Sequence, residues 1–309
     1  MLNHKIRILN FDNSIISQKA LLSKQETEII DLLDLGPRAR HWMSAKTRSV
    51  IQQRIRNSSK DAITFIGSGD FHHISEILIS QFSEPIVVIS FDFHPDWVVL
   101  PPRFGCGSWI SEVLKKENIA KCVLLGVSSN DISDPHIRDG DLNSLADDRL
   151  EIYPYTHSPT KAYFKSIPKN VSLKVEEGLF FKKIYWNELK NRNPVDLMQD
   201  ILKRVLTNKV YISIDKDCLK ADFALTNWEE GLMSLDELLL MLKIIKENKE
   251  IVGLDITGDY SPIRVEGLVR KITSYLDHLK AIKAESLPES NVNSVNETTN
   301  LKILEILSF

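Results

Sequence analysis

Short apolar runs rich in β-branched residues recur along the middle of the chain, at Ala62 to Ile66, Ile86 to Phe91, Lys121 to Val127, Val210 to Ile214 and Ile251 to Ile256. Between them, Ile74 to Phe82, Trp109 to Lys116, Val195 to Leu206, Leu235 to Ile245 and Leu268 to Lys280 place apolar residues at three- and four-residue spacing. The first pattern suits strands covered on both faces, and the second suits amphipathic helices. Their alternation predicts an α/β fold with a mostly parallel sheet and helices on its faces.

The flanks read differently. From about Ile15 to Arg56, the residues Leu21, Leu22, Ile29, Ile30, Leu32 and Leu33 form a broken helical stripe that Pro37 stops. This predicts a helical extension over 1–60, packed on a core domain over 61–283. The stretch from Pro154 to Lys183 has prolines and aromatics without a period, and reads as an excursion from the sheet. Residues 284–300 are rich in Ser, Asn and Glu, which predicts a polar linker. Residues 301–309 are apolar enough to dock back on a core.

Composition then narrows the function classes. The 309 residues are 43% hydrophobic, enough for a sizeable core. A net charge of -3 supplies no basic field, so nucleic acid and anionic membranes give way to a small molecule as the expected partner. Cys106, Cys122 and Cys218 are far apart and form no CxxC pair, which argues against a disulfide framework and a thiolate zinc site and fits the cytoplasm. Asn10, Asp12 and Asn13 interrupt any apolar run near the N-terminus, so no signal peptide is expected. No run of about 18 apolar residues is available to span a bilayer.

The chemistry-bearing residues gather where the apolar runs stop. The run ending at Phe91 is followed by Asp92, His94 and Asp96, whose two-residue spacing points them to one side of an extended chain. The run Val210 to Ile214 gives way to Asp215 and Asp217, and Ile63 to Ile66 gives way to Gly67-Ser68-Gly69-Asp70-Phe71-His72-His73. In open α/β sheets ligands collect at the carboxyl ends of the strands, where all three groups would meet. A single aspartate at a strand end is most often a cap or turn residue. A DxHxD set beside a DxD set is better explained by metal. Two carboxylates about 4 Å apart repel by roughly 4 kcal/mol at an effective dielectric near 20. Two divalent ions would neutralise the four aspartates, and the oxygen-rich donors favour manganese, with zinc or iron as alternatives. His72 and His73 are each a ligand, an acid/base group or a packed helix-start residue.

The blocks Gly67 to His73, Asp92 to Asp96, Ser213 to Asp217 and Leu254 to Pro262 resemble the arginase, agmatinase and ureohydrolase family in order and rough spacing, over about Ile63 to Lys280. The resemblance implies a three-layer α/β/α sandwich and a pair of manganese ions. It implies hydrolysis of a C–N bond in a guanidino, amidino or amide small molecule through a metal-bridging hydroxide, and a homo-oligomer as the assembly. It carries ligand roles to Asp92, His94, Asp96, Asp215 and Asp217, with a histidine of the first block as the sixth. His72 is the choice for that ligand, His73 is either a ligand or the acid/base group that carries a proton to the leaving nitrogen, and Asp96 is hydrogen-bonded to the hydroxide. The tandem histidines also resemble the histone-deacetylase-like branch of the fold, so a single-zinc deacylase and a non-catalytic metal-binding member stand as alternatives.

Departures from the family pattern fall in the substrate segments. The family's Asp-x-x-Glu-x-Asn-Pro block is here Asp255-Ile256-Thr257-Gly258-Asp259-Tyr260-Ser261-Pro262, with Asp259 as the candidate replacement for the glutamate. Asn227 and Trp228 lie in the altered segment after Asp217, and Cys106 stands between two glycines where relatives place a histidine-glycine turn. These four are the candidate substrate contacts. Trp97 and Trp109 read either as pocket walls or as core.

Overall fold

In a computed structural model, residues 5–24, 26–163, 166–277 and 288–308 are described. The strands of the main sheet are β1 (Ile6–Asn10), β2 (Thr27–Asp31), β3 (Ile63–Gly67), β4 (Ile86–Phe91), β5 (Ile119–Val127) and β6 (Leu150–Pro154), joined by β10 (Lys209–Asp215) and β11 (Glu250–Thr257). They are ordered β2-β1-β3-β11-β10-β4-β5-β6, and every pairing is parallel. A second, antiparallel sheet of β7 (Thr160–Tyr163), β8 (Leu173–Glu177) and β9 (Phe181–Trp186) fills the predicted excursion.

Alternate residues of the central strands feed two separate cores, which makes the molecule three-layered. On β4, Ile86 and Val88 join one core while Val87, Ile89 and Phe91 join the other. The first core packs α3 (Ala45–Ile55), α4 (Ile74–Ile79) and α5 (Trp109–Leu114) against the sheet through Ile51, Ile77 and Ile110. The opposite core packs α7 (Pro194–Arg204), α8 (Leu235–Asn248) and the long C-terminal helix α10 (Glu289–Ser308) through Ile201, Leu242 and Ile303. Ser234 fixes the start of α8 in a reciprocal capping box with Glu237. The remaining helices, α1 (Lys19–Leu22), α2 (Gly36–Ala39), α6 (Leu142–Ala146) and α9 (Leu268–Asp277), are short or peripheral. None of the described helices is long and apolar enough to cross a membrane.

The flanks depart from the pattern-based expectation. Instead of a continuous helical stretch over Ile15 to Arg56, β2 takes in Ile29 and Ile30, and three short helices take the rest. A five-residue edge strand with the burial of β2 carries too few buried positions for its period to be told from a helix. Residues 289–300, expected as linker, are the first turns of α10, and residues 301–308 are its continuation. Its polar residues are used: Asn296 bonds both the backbone N–H and C=O of Leu225, and Thr299 and Asn300 are buried. The linker positions 284–287 lie outside the described residues, as do Met1 to His4.

Candidate metal centre

The four neighbouring strands β3, β11, β10 and β4 end side by side. Ile214 on β10 is in register with Phe91 on β4, so the following residues, Asp215 and Asp92, emerge together. On its other side Asp215 is in register with Thr257 of β11. Beyond β3 the chain turns through Gly67 (φ 102°) into a short 3-10 turn, Gly69–Phe71, which ends at His72. Two glycines let backbone approach Asp215 from both sides. A Cβ on Gly69 would lie 2.7 Å from Asp215 Oδ2, and one on Gly258 would lie 2.5 Å from Asp215 Oδ1. Gly258 also has φ 91°, a conformation costly to any side chain. Asp96 is itself left-handed, at φ 46°, an outlier of the sort found where a site over-determines its backbone.

The result is a compact set of donors. His72 Nδ1 lies 3.0 Å from Asp92 Oδ2, 3.2 Å from Asp96 Oδ2 and 3.6 Å from Asp215 Oδ2. His94 Nδ1 lies 3.2 Å from Asp217 Oδ2, and Asp92, His94 and Asp217 form a second group whose donor atoms lie within 4.8 Å of one another. Asp92 belongs to both groups. Around them, the indole N–H of Trp109 donates to Asp96 Oδ2 at 2.7 Å, and the backbone N–H groups of Phe93 and His94 donate to Asp217 and Asp92.

A row of buried polar residues holds this set from below. Ser90, Ser213, Asp255, Thr64 and Arg7 occupy one register level across β4, β10, β11, β3 and β1. Asp255 accepts hydrogen bonds from Ser213 Oγ (2.7 Å), Ser75 Oγ (3.0 Å) and Tyr211 OH (2.6 Å). Ser213 Oγ lies 2.9 Å from His72 Nε2. Because the Ser213 hydrogen goes to Asp255, the serine receives the N–H of His72 Nε2, and Nδ1 is the nitrogen left to face the carboxylates.

Without a cation the carboxylates are under strain. Burial, with Asp96 and Asp217 adding to it, pushes the Asp92 carboxyl up to about 8. Burial and then Asp217 raise Asp215 as well. On His72, burial opposes a charge, but Asp92, Asp96 and Asp215 outweigh it and the pKa rises. His94 follows the same balance, with Asp217 and Glu229 outweighing its burial.

The cleft above the donors encloses about 460 Å³ and is lined by Asp92, His94, Asp96, Asp215 and Asp217 among others. Cys106 and Trp228 line it too. His72 is beneath its floor. Several sequence-predicted candidates besides His72 do not line the cleft. His73 is 1% exposed, neither ring nitrogen has a hydrogen bond of good geometry, and burial followed by His72 and His41 pulls its pKa down to about 3. It stays neutral and has no path to a substrate, so the geometry gives no support to a proton carrier there. Asp259 is consumed by a buried ion pair with Lys216 (2.9 Å) and a hydrogen bond from Gln18 (2.6 Å). Asn227 is spent on Ser68 and Ser261. Trp97 is fully buried core.

Sequence reading overlooked Asp131 and Glu229, both cleft residues, the latter 3.6 Å from His94 Nε2. Asp131 lies just beyond β5, so the same strand-end rule that found Asp92 could have found it. Glu229 follows no such rule.

Comparison with known proteins bears on the fold and on the β10 segment. The model of the Arginase family matches residues 167–269, which include Asp215 and Asp217. An uncharacterized protein of Thermotoga maritima is 27% identical over 226 residues, 73% of this chain and 69% of that one. Among solved structures, formiminoglutamase of Trypanosoma cruzi with manganese is 12% identical at a TM-score of 0.55, covering 98% of this chain and 93% of its own. Formimidoylglutamase of Bacillus subtilis is 15% identical at 0.52, covering 99% and 86%. Arginase of Bacillus cereus is 12% identical at 0.54, covering 92% and 100%. These structural likenesses carry the fold, and the family match makes the segment that includes β10 and its two aspartates similar to the Arginase family.

Proposed function

We propose that this chain is a metal-dependent hydrolase that cleaves a C–N bond of a guanidino, amidino or amide small molecule, and that it holds two manganese ions for the purpose. The observation that carries the reading is the convergence on His72 Nδ1. With Nε2 directed at Ser213, Nδ1 and three carboxylate oxygens converge at 3.0–3.6 Å. Without metal, protons held on His72 and Asp92 offset the repulsion among these groups, and a cation seated there would replace them. The sharing of Asp92 between two donor groups favours a pair of ions over a single one.

His72, Asp92, His94, Asp96, Asp215 and Asp217 would be the ligands, and their oxygen-rich set suits manganese, with zinc or iron as weaker fits. When bound, the ions supply a Lewis acid and an activated water. Asp96, held by the Trp109 N–H and its own left-handed backbone, is placed to orient that water. Glu229, whose side chain is 29% exposed at the cleft, is placed to hand a proton to the leaving nitrogen, the part His73 is too buried to take. Since His73 is no cleft residue, the acid/base pair that a single-zinc deacylase would need is incomplete.

The test is metal counting with a substrate screen. Metal-free protein titrated with manganese should retain two ions per chain. It should then release urea, ammonia or amine from at least one member of a panel of guanidino acids, agmatine-like amines and acylated polyamines. About one zinc per chain with no activation by manganese would remove the dinuclear proposal. A fully loaded protein with no turnover would favour a metal-binding scaffold.

A further inference from the structure

The metal cleft continues sideways into a second cavity of about 250 Å³, which shares Val98, Cys106, Gly107 and Trp228 with it. The rest of the annexe wall is mostly apolar and aromatic: Trp42, Leu100, Pro101 and Pro102, with His41 at one side. Leu100 is 50% exposed, and its neighbour Val99 is 44% exposed, so the rim presents apolar surface to solvent.

Charge says which molecules suit the combined space. Six carboxylates line the cleft, Asp92, Asp96, Asp131, Asp215, Asp217 and Glu229, and among the described residues no lysine or arginine lines either cavity. Arg270, beside the annexe, stacks on Trp42 at 4.1 Å and gives N–H groups to the carbonyls of Glu266 and Trp42, and the exposed Arg103 follows Pro102 without lining the cavity. Two divalent ions would neutralise four carboxylates and leave two uncompensated. A substrate carboxylate entering there would meet net negative charge, with no lysine or arginine in the described lining to pair with it. An apolar or aromatic group would find matching walls in the annexe.

Resting on the hydrolase reading above, we infer that the substrate is a neutral or cationic amidino or amide compound whose remainder is an apolar, ring-sized group seated in the annexe, and that amino-acid-like substrates bearing a carboxylate are rejected. The reacting end lies over the donors at the ends of β4 and β10. The remainder extends past Val98 and Cys106 to rest between Trp42 and Trp228, with Leu100 at the rim.

Calorimetric titration of manganese-loaded protein with 3-phenylpropylguanidine, propylguanidine and 4-guanidinobutanoate tests this. The phenyl compound should bind at least about tenfold tighter than propylguanidine, a gap of the size that filling an apolar pocket gives, and the carboxylate compound should bind weakest. Leu100→Lys, an exposed substitution outside the donor set, should weaken the phenyl compound and improve the carboxylate one while leaving the manganese count unchanged. Equal affinities for all three, or tightest binding of 4-guanidinobutanoate, would overturn the assignment. Titration with 3-phenylpropylamine, which offers no bond to hydrolyse, separates the two readings. If the protein holds no metal the hydrolase reading falls, and the effect of Leu100→Lys on this amine still decides the annexe: weakening supports it, and no change refutes it.

Discussion

The ammonium of Lys216 lies 2.9 Å from the carboxylate of Asp259, and both side chains are essentially excluded from solvent. The lysine stands between Asp215 and Asp217, so the backbone that delivers two of the proposed ligands is anchored by this pair. Removing one partner of a buried pair leaves the other charge uncompensated, at a cost of about 3–5 kcal/mol. Lys216→Met should destabilise the protein by that order in urea unfolding. Adding Asp259→Asn, which keeps an acceptor for Gln18, should recover most of the loss. Equal destabilisation by the single and double variants would show that the pair itself is not the cause.

Asp255 never touches the donor set, yet it fixes the tautomer of His72 through Ser213. Partners of this kind typically contribute 10–100-fold to metal affinity, so Asp255→Asn should weaken manganese binding by roughly that factor. A competitive chelator titration reads it. Unchanged affinity would mean that His72 is oriented by packing alone.

Manganese should displace protons. With Asp92 raised to about 8 in the metal-free protein, its carboxyl is mostly protonated at pH 7 and must ionise to bind a cation. Apparent affinity should therefore climb as pH rises towards 8 and fall below it. Calorimetry at pH 7 in buffers of different ionisation enthalpy should report net proton release, and identical heats in all buffers would contradict it.

His73 supplies a stability prediction with a definite sign. Its pKa is about 3 in the fold against an ordinary value near 6.5, so between those values the unfolded chain binds the proton and the folded chain does not. Its contribution is fully present above pH 6.5 and is lost as pH falls towards 3. His73→Leu should leave turnover near wild type and flatten this acid loss, because neither ring nitrogen has a good hydrogen bond to forfeit. Abolished turnover in a variant that folds and loads metal would restore a catalytic part for the ring.

The central strands were legible because burial on both faces leaves continuous apolar runs, and the aspartates were legible because they interrupt those runs at their ends. Ile86 to Phe91 was read to the residue. β2 was hidden because an edge strand of five residues with none buried gives too little pattern, β1 because Arg7 and Asn10 interrupt its short buried run, and α10 because its buried positions are partly Asn and Thr. The donor set could be listed from spacing, but its partition could not. Whether Asp259 faces a ligand or Lys216 depends on loops from opposite ends of the chain meeting in space. The polar row of Ser90, Ser213, Asp255 and Thr64 did leave a signal, since each breaks an apolar strand at an interior position.

Asn300 of α10 donates to Gln18 and, at 3.3 Å, to Asp259. Gln18 and Asn300 are 282 residues apart in the sequence, and Asn300 is made well after Asp259. During synthesis, therefore, Lys216 and Asp259 exist before their full set of partners does, and the buried charges under the metal loop wait for the ribosome to finish α10. Nascent chains halted before this helix should lack the Asn300 contacts, leaving Gln18 and Asp259 each one partner short until α10 arrives.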